Sequence, residues 1–392
     1  MKLIRKFCAV IFCTILTASA FAVDFGGSLD NNTKLSTISF DSWSLLQQDG
    51  LTAWLKVPFN NEGSLYFATE GTMLVSYNIP DLSNASAYTF DFLLDLSLFK
   101  LAGVFNIGNN VLQLNVGRFY LSDVTGIVLS QTADGLQLGF TSDYFKASVY
   151  GGYTGLTNAM FGTMNDDTTT TSFNPDASNI YCFNSPYIVT GATIAAPYLF
   201  ANQTIGAEFY GMFGSVGPNG GNSGYNRTYI TLFMNGPIVK NLFYTLSSTL
   251  AFNNGPTNLT MGTLSYYPKF KSSSITLNAI YASGDSGSLK AFSGFTSSAA
   301  TYAFSAPNYT SLIKVGLRGS LKPLESLYTA VGSDVIFDTG SESGFRGVQW
   351  DANLKYQILT DIQVSLIVKQ YFDFKNNSDN NTSFTLNASL AF

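Results

Sequence analysis

The chain has 392 residues, 20 basic against 25 acidic, with 46% hydrophobic, 15% aromatic and only 11% charged residues. So hydrophobic and weakly charged a composition excludes intrinsic disorder, which needs the opposite balance, and its charge content is below half of the roughly 25% usual in soluble domains. Histidine is absent from the sequence, which removes Ser-His-Asp and Cys-His catalysis and the commonest metal ligand.

In chain order, Lys2, Arg5 and Lys6 form a positive start, Phe7 to Leu16 a short apolar core, and Ala20-Phe21-Ala22 a small-x-small cleavage site. This pattern predicts a cleaved signal peptide over 1–22 and a mature chain from Val23. The apolar core is too short for a membrane helix, which takes about 20 residues. Removing the three cations leaves 17 basic residues against 25 acidic, a net charge of −8. Cys8 and Cys13 leave with the peptide, so Cys182 remains alone and no internal disulfide is available.

Beyond residue 22 no apolar run approaches the roughly 18 residues of a helical span. The pattern has period two instead. Val348, Trp350, Ala352, Leu354 and Tyr356 alternate with Gln349, Asp351, Asn353 and Lys355. Ile362, Val364, Leu366 and Val368 alternate with Gln363, Ser365 and Lys369, and Ile313, Val315 and Leu317 with Lys314, Gly316 and Arg318. Alternation of this kind is the mark of a strand with one apolar face.

Strands are predicted over 35–46, 51–58, 64–77, 87–107, 111–120, 135–141, 145–153, 186–195, 204–213, 227–235, 241–252, 257–266, 273–283, 309–319, 325–337, 347–356, 362–372 and 383–392, eighteen in all. The count falls to sixteen if the first pair lies in the periplasm. Even-numbered connections are short, and the long ones (78–86, 121–134, 154–185, 214–226, 284–308, 338–346 and 373–382) fall on the other set. A β-sandwich has no reason to sort loops this way, whereas a transmembrane barrel requires it. The predicted fold is therefore all-β: one domain over 23–392, a closed antiparallel transmembrane barrel with short periplasmic turns and long external loops.

Aromatic residues at strand ends (Trp54, Tyr77, Tyr88, Tyr120, Tyr153, Tyr187, Tyr281, Tyr309 and Tyr356) fit two interfacial girdles. Some segments resist the scheme. Neither parity is cleanly apolar in 227–235 or 257–266, and 87–107 is long for one unbroken strand. Arg118 shares the phase of Leu112, Leu114 and Val116, aiming a cation at lipid unless Gly117 marks a bulge or Arg118 sits at the interface.

The final strand carries a resemblance. Phe392, with Leu390, Ala388, Leu386 and Phe384 at alternate positions before it, resembles the C-terminal assembly signal of bacterial outer-membrane proteins. That likeness implies export, periplasmic chaperones, recognition by the barrel-assembly machinery and residence in outer-membrane lipid. Val116-Gly117-Arg118 and Tyr281-Ala282-Ser283-Gly284-Asp285 resemble porins and alginate-export-like barrels. Alginate exporters imply a strongly basic lumen, from which this acidic chain departs.

Catalysis finds no foothold. Asp166-Asp167 lacks the further spaced oxygens of a cation site, and Gly217 to Gly224 lacks the Lys-Ser/Thr of a phosphate loop. No enzyme activity, cofactor, metal or nucleic-acid partner is expected. About eighteen strands enclose room for an aqueous channel, and only about a dozen residues separate Val23 from the first predicted strand, too few for a plug domain. Inward parity predicts Glu208, Lys314, Arg318, Asp334, Asp351, Lys355 and Lys369 as pore-lining residues of both signs. Such a lining suits small neutral or zwitterionic solutes in a porin-like channel; the alternative is an adhesin or structural barrel working through its external loops. The 154–185 loop offers Phe161, Met164, Phe173, Tyr181 and Phe183 as anchors for folding inward, which would set Asp166 and Asp167 at a constriction.

Overall fold

The computed structural model describes residues 23–38, 42–84, 87–159, 164, 180–217, 226–252, 255–285, 289–296, 310–340, 343–375 and 380–392. The expected signal peptide lies outside the described residues. Eighteen strands follow one another: β1 (Asp24–Ile38), β2 (Ser42–Pro58), β3 (Leu65–Ile79), β4 (Thr89–Ile107), β5 (Asn110–Ser122), β6 (Ser130–Thr141), β7 (Lys146–Tyr153), β8 (Tyr187–Ala196), β9 (Thr204–Gly214), β10 (Arg227–Val239), β11 (Leu242–Phe252), β12 (Pro256–Tyr266), β13 (Ser274–Ala282), β14 (Leu312–Leu324), β15 (Leu327–Asp338), β16 (Gly344–Gln357), β17 (Ile362–Asp373) and β18 (Asn381–Ala391). Each pairs antiparallel with its sequence neighbours, and β1 pairs with β18, so the sheet closes into a barrel. The seam of closure continues past the strands: Phe392 and Gly27 exchange backbone hydrogen bonds of 2.9 and 3.0 Å.

Closure leaves no sheet edge and lets backbone groups pair inside the wall, the condition for standing in hydrocarbon. Along β14, β16, β17 and β18 the apolar parity looks outward: Val315, Leu317, Trp350, Leu354, Leu366, Phe384, Leu386 and Leu390 are all exposed on the outer surface. Phe384 stacks on Trp43 across β1, with ring centroids 6.4 Å apart. Connections at the rim holding both termini span two to seven residues; the opposite rim carries 123–129, 154–186, 215–226 and 283–311.

The first hairpin differs from expectation. The polar run Gln47-Gln48-Asp49-Gly50 was expected as a turn, but β2 passes straight through it, and the connection lies at 39–41, outside the described residues. The first strand consequently starts at Asp24, directly after Val23, and both strands belong to the eighteen-stranded wall. Strand β4 does run unbroken from 89 to 107, but its register against β3 shifts beyond Glu70, so Ser97 is passed over. The bulge exchanges the faces: Leu94 and Leu96 point outward before it, Phe99 and Leu101 after it.

The girdle is thinner than expected. Tyr77, Tyr120, Tyr153, Tyr281 and Tyr356 keep outward parity, but Trp54 pairs with Glu70 on the inner face and Tyr187 is fully buried inside the wall. Tyr309 lies outside the described residues.

Arg118 resolves in a way that neither expected alternative covers. Gly117 takes φ +115°, and a Cβ there would meet the Phe99 carbonyl oxygen at 2.3 Å. Yet Arg118 keeps outward parity, opposite Phe99 and Asp134. It is nonetheless buried. Above this point β4 and β5 no longer pair with each other: their ladder stops at Phe99 and Arg118. A short hairpin from the 154–186 connection, bridged Asn158 to Phe183, covers the split. Leu94 donates its N–H to the Ile180 carbonyl at 3.1 Å, and Asn158 Nδ2 donates to the Leu94 carbonyl at 2.8 Å. The Arg118 guanidinium grips Asp134 with both branches (2.8 and 2.9 Å), and donates to the Leu96 and Leu156 carbonyls and to the Tyr181 hydroxyl. The covering hairpin makes a cation on the outer wall tolerable.

Candidate functional site in the barrel lumen

The lumen has two unlike walls. From β8 to β13 the inward positions include Val189, Tyr210, Met212, Tyr229, Ala251, Leu259, Ile280 and Ala282, all buried. Strands of a water-filled barrel should not look apolar inward; these do because two connections fold in and pack on them. Val128 and Leu129 of the 123–129 connection, and Phe292 and Phe295 of the 283–311 connection, are buried in that cluster. Tyr210 and Tyr229 stack at 5.4 Å, and Phe295 meets the Tyr229 ring edge-on at 4.6 Å. Such aromatic contacts add about 0.5–1.5 kcal/mol each beyond area burial.

Polar groups fix the same loops. Arg227 Nη1 donates to the Gly294 carbonyl at 2.5 Å and to Ser293 Oγ at 3.1 Å. The Phe295 and Thr296 N–H groups both donate to the Val128 carbonyl, tying one loop to the other. The Asp123 carboxyl accepts from the Thr125, Val128 and Leu129 N–H groups at 2.8, 3.1 and 2.9 Å and from the Thr125 hydroxyl. Burial pushes this carboxyl above the ordinary aspartate value, while those hydrogen bonds pull it down. Glu208 faces inward on β9, but it is an anchor: it accepts from the Val124 N–H at 2.8 Å and from the Thr193 hydroxyl at 3.1 Å.

The other wall, β14 to β18 with β1 and β2, is polar. Lys314 and Asp334 form a buried pair at 3.5 Å, their side chains 10% and 5% exposed. Arg318 pairs with Asp351, and its own side chain stays half exposed. Lys369 stands opposite Asp351, and Lys355 opposite Ser365 one strand on. Lys355 is exposed and Lys369 half-buried. Neither has an ion-pair partner among the described residues. Inward positions on β18 and β1 add Thr385, Asn387, Asn32 and Lys34, with Asn32 Nδ2 donating to Asn387 Oδ1 at 2.7 Å. Near the loop-bearing rim, Arg346 reaches Asp338 at 3.4 Å and Asp373 at 3.1 Å, while Lys375 reaches Asp338 at 2.9 Å.

Of the seven inward residues expected from parity, the fold gathers Lys314, Arg318, Asp334, Asp351, Lys355 and Lys369 on one wall and sets Glu208 on the other. Glu70, Lys100, Arg227 and Asp123 were missed. Glu70 and Lys100 were obscured by the bulge at Ser97 that breaks the alternation. Asp123 and Arg227 act through loops, where periodicity carries no signal; a Phe-x-x-Phe pair within the Gly- and Ser-rich 283–311 connection is the one sequence hint of an anchored loop. In the 154–186 connection, Met164 is buried and bridges to Thr296. Tyr181 packs on Phe183 at the wall split, with ring centroids 5.7 Å apart. Asp166, Asp167, Phe161 and Phe173 lie outside the described residues. Among the described residues no group of three or more Asp, Glu or Cys side chains is arranged to hold a metal.

The barrel is similar in fold to several solved proteins of Pseudomonas aeruginosa. OpdQ matches with a TM-score of 0.64 at 11% identity, over 95% of this chain and 99% of that one. OccK5 (OpdH) gives 0.61 at 11% identity, over 94% and 98%. OpdK, an outer membrane protein, gives 0.60 at 13% identity in its structure with vanillate, over 94% and 98%. No family model matches the sequence, and no curated protein is similar to it.

Proposed function

We propose that this protein is an outer-membrane channel through which small polar solutes diffuse. The carrying observation is the polar inner wall from β14 through β18 to β1, on which Arg318 and Lys355 stay exposed, opposite the wall on which the loops pack. An apolar outer face and a polar inner one are what a barrel needs to hold water within lipid. Charges of both signs along that wall suit neutral or zwitterionic solutes. Barrels of the same fold include the outer membrane protein OpdK, solved with vanillate, which supports passage of a small organic solute.

In this reading residues 1–22 are a signal peptide removed on export, and the mature chain passes through periplasmic chaperones. Phe384, Leu386, Leu390 and Phe392 form the signal read by the barrel-assembly machinery. The reading assigns no residue a catalytic or cofactor role. The refolded protein should give stable conductance steps in planar bilayers and admit small sugars into liposomes. A verified fold that is silent in both assays overturns it.

A further inference from the structure

One stretch of the outer wall is unlike the rest. The outward parity of β1 and β2 contains Asn31, Thr33, Gln47 and Asp49, in strands whose other outward residues include Leu29, Leu35, Leu45 and Leu51. Asn31 is seven residues from either end of β1, and Asp49 is seven from the start of β2, so the cluster sits at mid-wall rather than at a rim. Asn31 Nδ2 and Gln47 Nε2 donate to the same carboxylate oxygen, Asp49 Oδ1, at 2.7 and 3.2 Å. Thr33 Oγ1 donates to Gln47 Oε1 at 2.5 Å. The second oxygen, Asp49 Oδ2, accepts no hydrogen bond among the described residues, and Asp49 is exposed.

Ionisable residues facing the middle of a bilayer are expensive and are normally turned toward protein or water. Here the local network satisfies only half of the carboxylate. Each of the two amides has a second N–H beyond the one given to Asp49. The cluster thus carries both the acceptor that needs a donor and spare donors, which makes it complementary to itself. Beside it the outer wall is scooped: Leu51, Ala53, Gly71, Met73, Leu94 and Leu96 line an apolar groove that a side chain of a neighbouring wall would fill.

From this juxtaposition we infer that the β1–β2 wall is the contact surface for a second copy of this chain, joined by hydrogen bonds between the Asn31-Gln47-Asp49 clusters within the membrane. The interaction is of the kind that holds membrane helices together, where side-chain amides and carboxylates bond across an interface from which water is excluded. The inference rests on the barrel standing in a membrane, not on what passes through it.

The test uses the full chain in cell membranes. Leu51→Cys places a thiol at the next outward position of β2, and Leu277→Cys places one on the far wall; Cys182 is buried, so the introduced thiol is the accessible one. A short bismaleimide should convert L51C to a species of twice the chain mass and leave L277C at single mass. The triple variant N31L/Q47L/D49L, added to L51C, should lose most of that doubled species while keeping the heat-modifiable gel mobility of a closed barrel. Equal single-mass behaviour of L51C and L277C overturns the inference, as does crosslinking undiminished in the triple variant. A product of any other mass, marking lipid or a foreign protein on this face, overturns it too. If the triple variant fails to fold, the L51C and L277C comparison still decides. Conductance of the same samples separates loss of this contact from loss of the channel.

Discussion

Two walls of one barrel obey the same strand geometry and read differently in sequence. From β14 to β18 polar and apolar residues alternate over most of each strand, with Ile336, Ile367 and Tyr371 the inward exceptions, because the outer face is apolar and the inner one mostly polar. From β8 to β13 the alternation blurs, because Leu259 and Tyr229 look inward into the cluster with Phe292, Phe295 and the 123–129 loop, and Met261 packs against it. The difference teaches that period two reports what covers a face, not which way it points. An inward face turns apolar wherever a loop settles on it.

The strongest way to break this contrast is to undock the loops. Removing both anchors, Phe292→Ala with Phe295→Ala, should cost about 3–5 kcal/mol of loop docking per ring. The apolar wall would then be open to water, and single-channel conductance should rise severalfold with the barrel's β circular dichroism intact. A conductance equal to wild type would mean the docked loops do not narrow the path.

On the polar wall, Lys314→Met leaves Asp334 buried and unpaired, a defect worth roughly 3–5 kcal/mol. Thermal unfolding should show the loss, and Lys314→Met with Asp334→Leu should restore most of it. If the double variant is no better than the single one, the pair is not what holds those strands. Lys355→Gln with Lys369→Gln should barely move stability and should shift reversal potentials toward cations, since neither lysine has an ion-pair partner among the described residues.

The smallest effect is one of pH. Because burial raises the Asp123 carboxyl, the docked loop holds a proton more readily than the undocked one. Docking is favoured below the ordinary aspartate range, and that bias disappears as pH rises through the raised value. Mean conductance should therefore be lower near pH ~4 than near pH ~7, and Asp123→Asn should flatten the difference.

Strand number, loop sorting and the outward face of β14 to β18 were legible in the sequence, since lipid on one side and water on the other impose a strict alternation. The first hairpin was misplaced because Gln47 and Asp49 resemble a turn; nothing local distinguishes a polar turn from a polar patch on a wall. The inward ionisable residues of β14 to β17 followed from parity alone. Their pairing did not, because Lys314 with Asp334 and Arg318 with Asp351 depend on inter-strand register, which is set by bulges such as those beyond Leu321 and Ile336. The loop anchors were invisible for a related reason: Arg227 holds Gly294, and Glu208 holds Val124, through contacts that span distant parts of the chain.

The split above Arg118 has a consequence for the order in which this barrel is completed. Apart from β1, which meets β18 where the ring closes, each strand is paired by its neighbours in sequence, but the upper edge of β4 waits for residues 158 and 180, some sixty or more positions downstream. Until that hairpin arrives, the Leu94 N–H and the Leu94 and Leu96 carbonyls lack the partners it and Arg118 supply at the membrane wall. This seam is therefore completed only after β5, β6 and β7 are in place, and it is the first to breathe. In hydrogen–deuterium exchange its Leu94 amide should trade with solvent well ahead of the amides lower on the same strand.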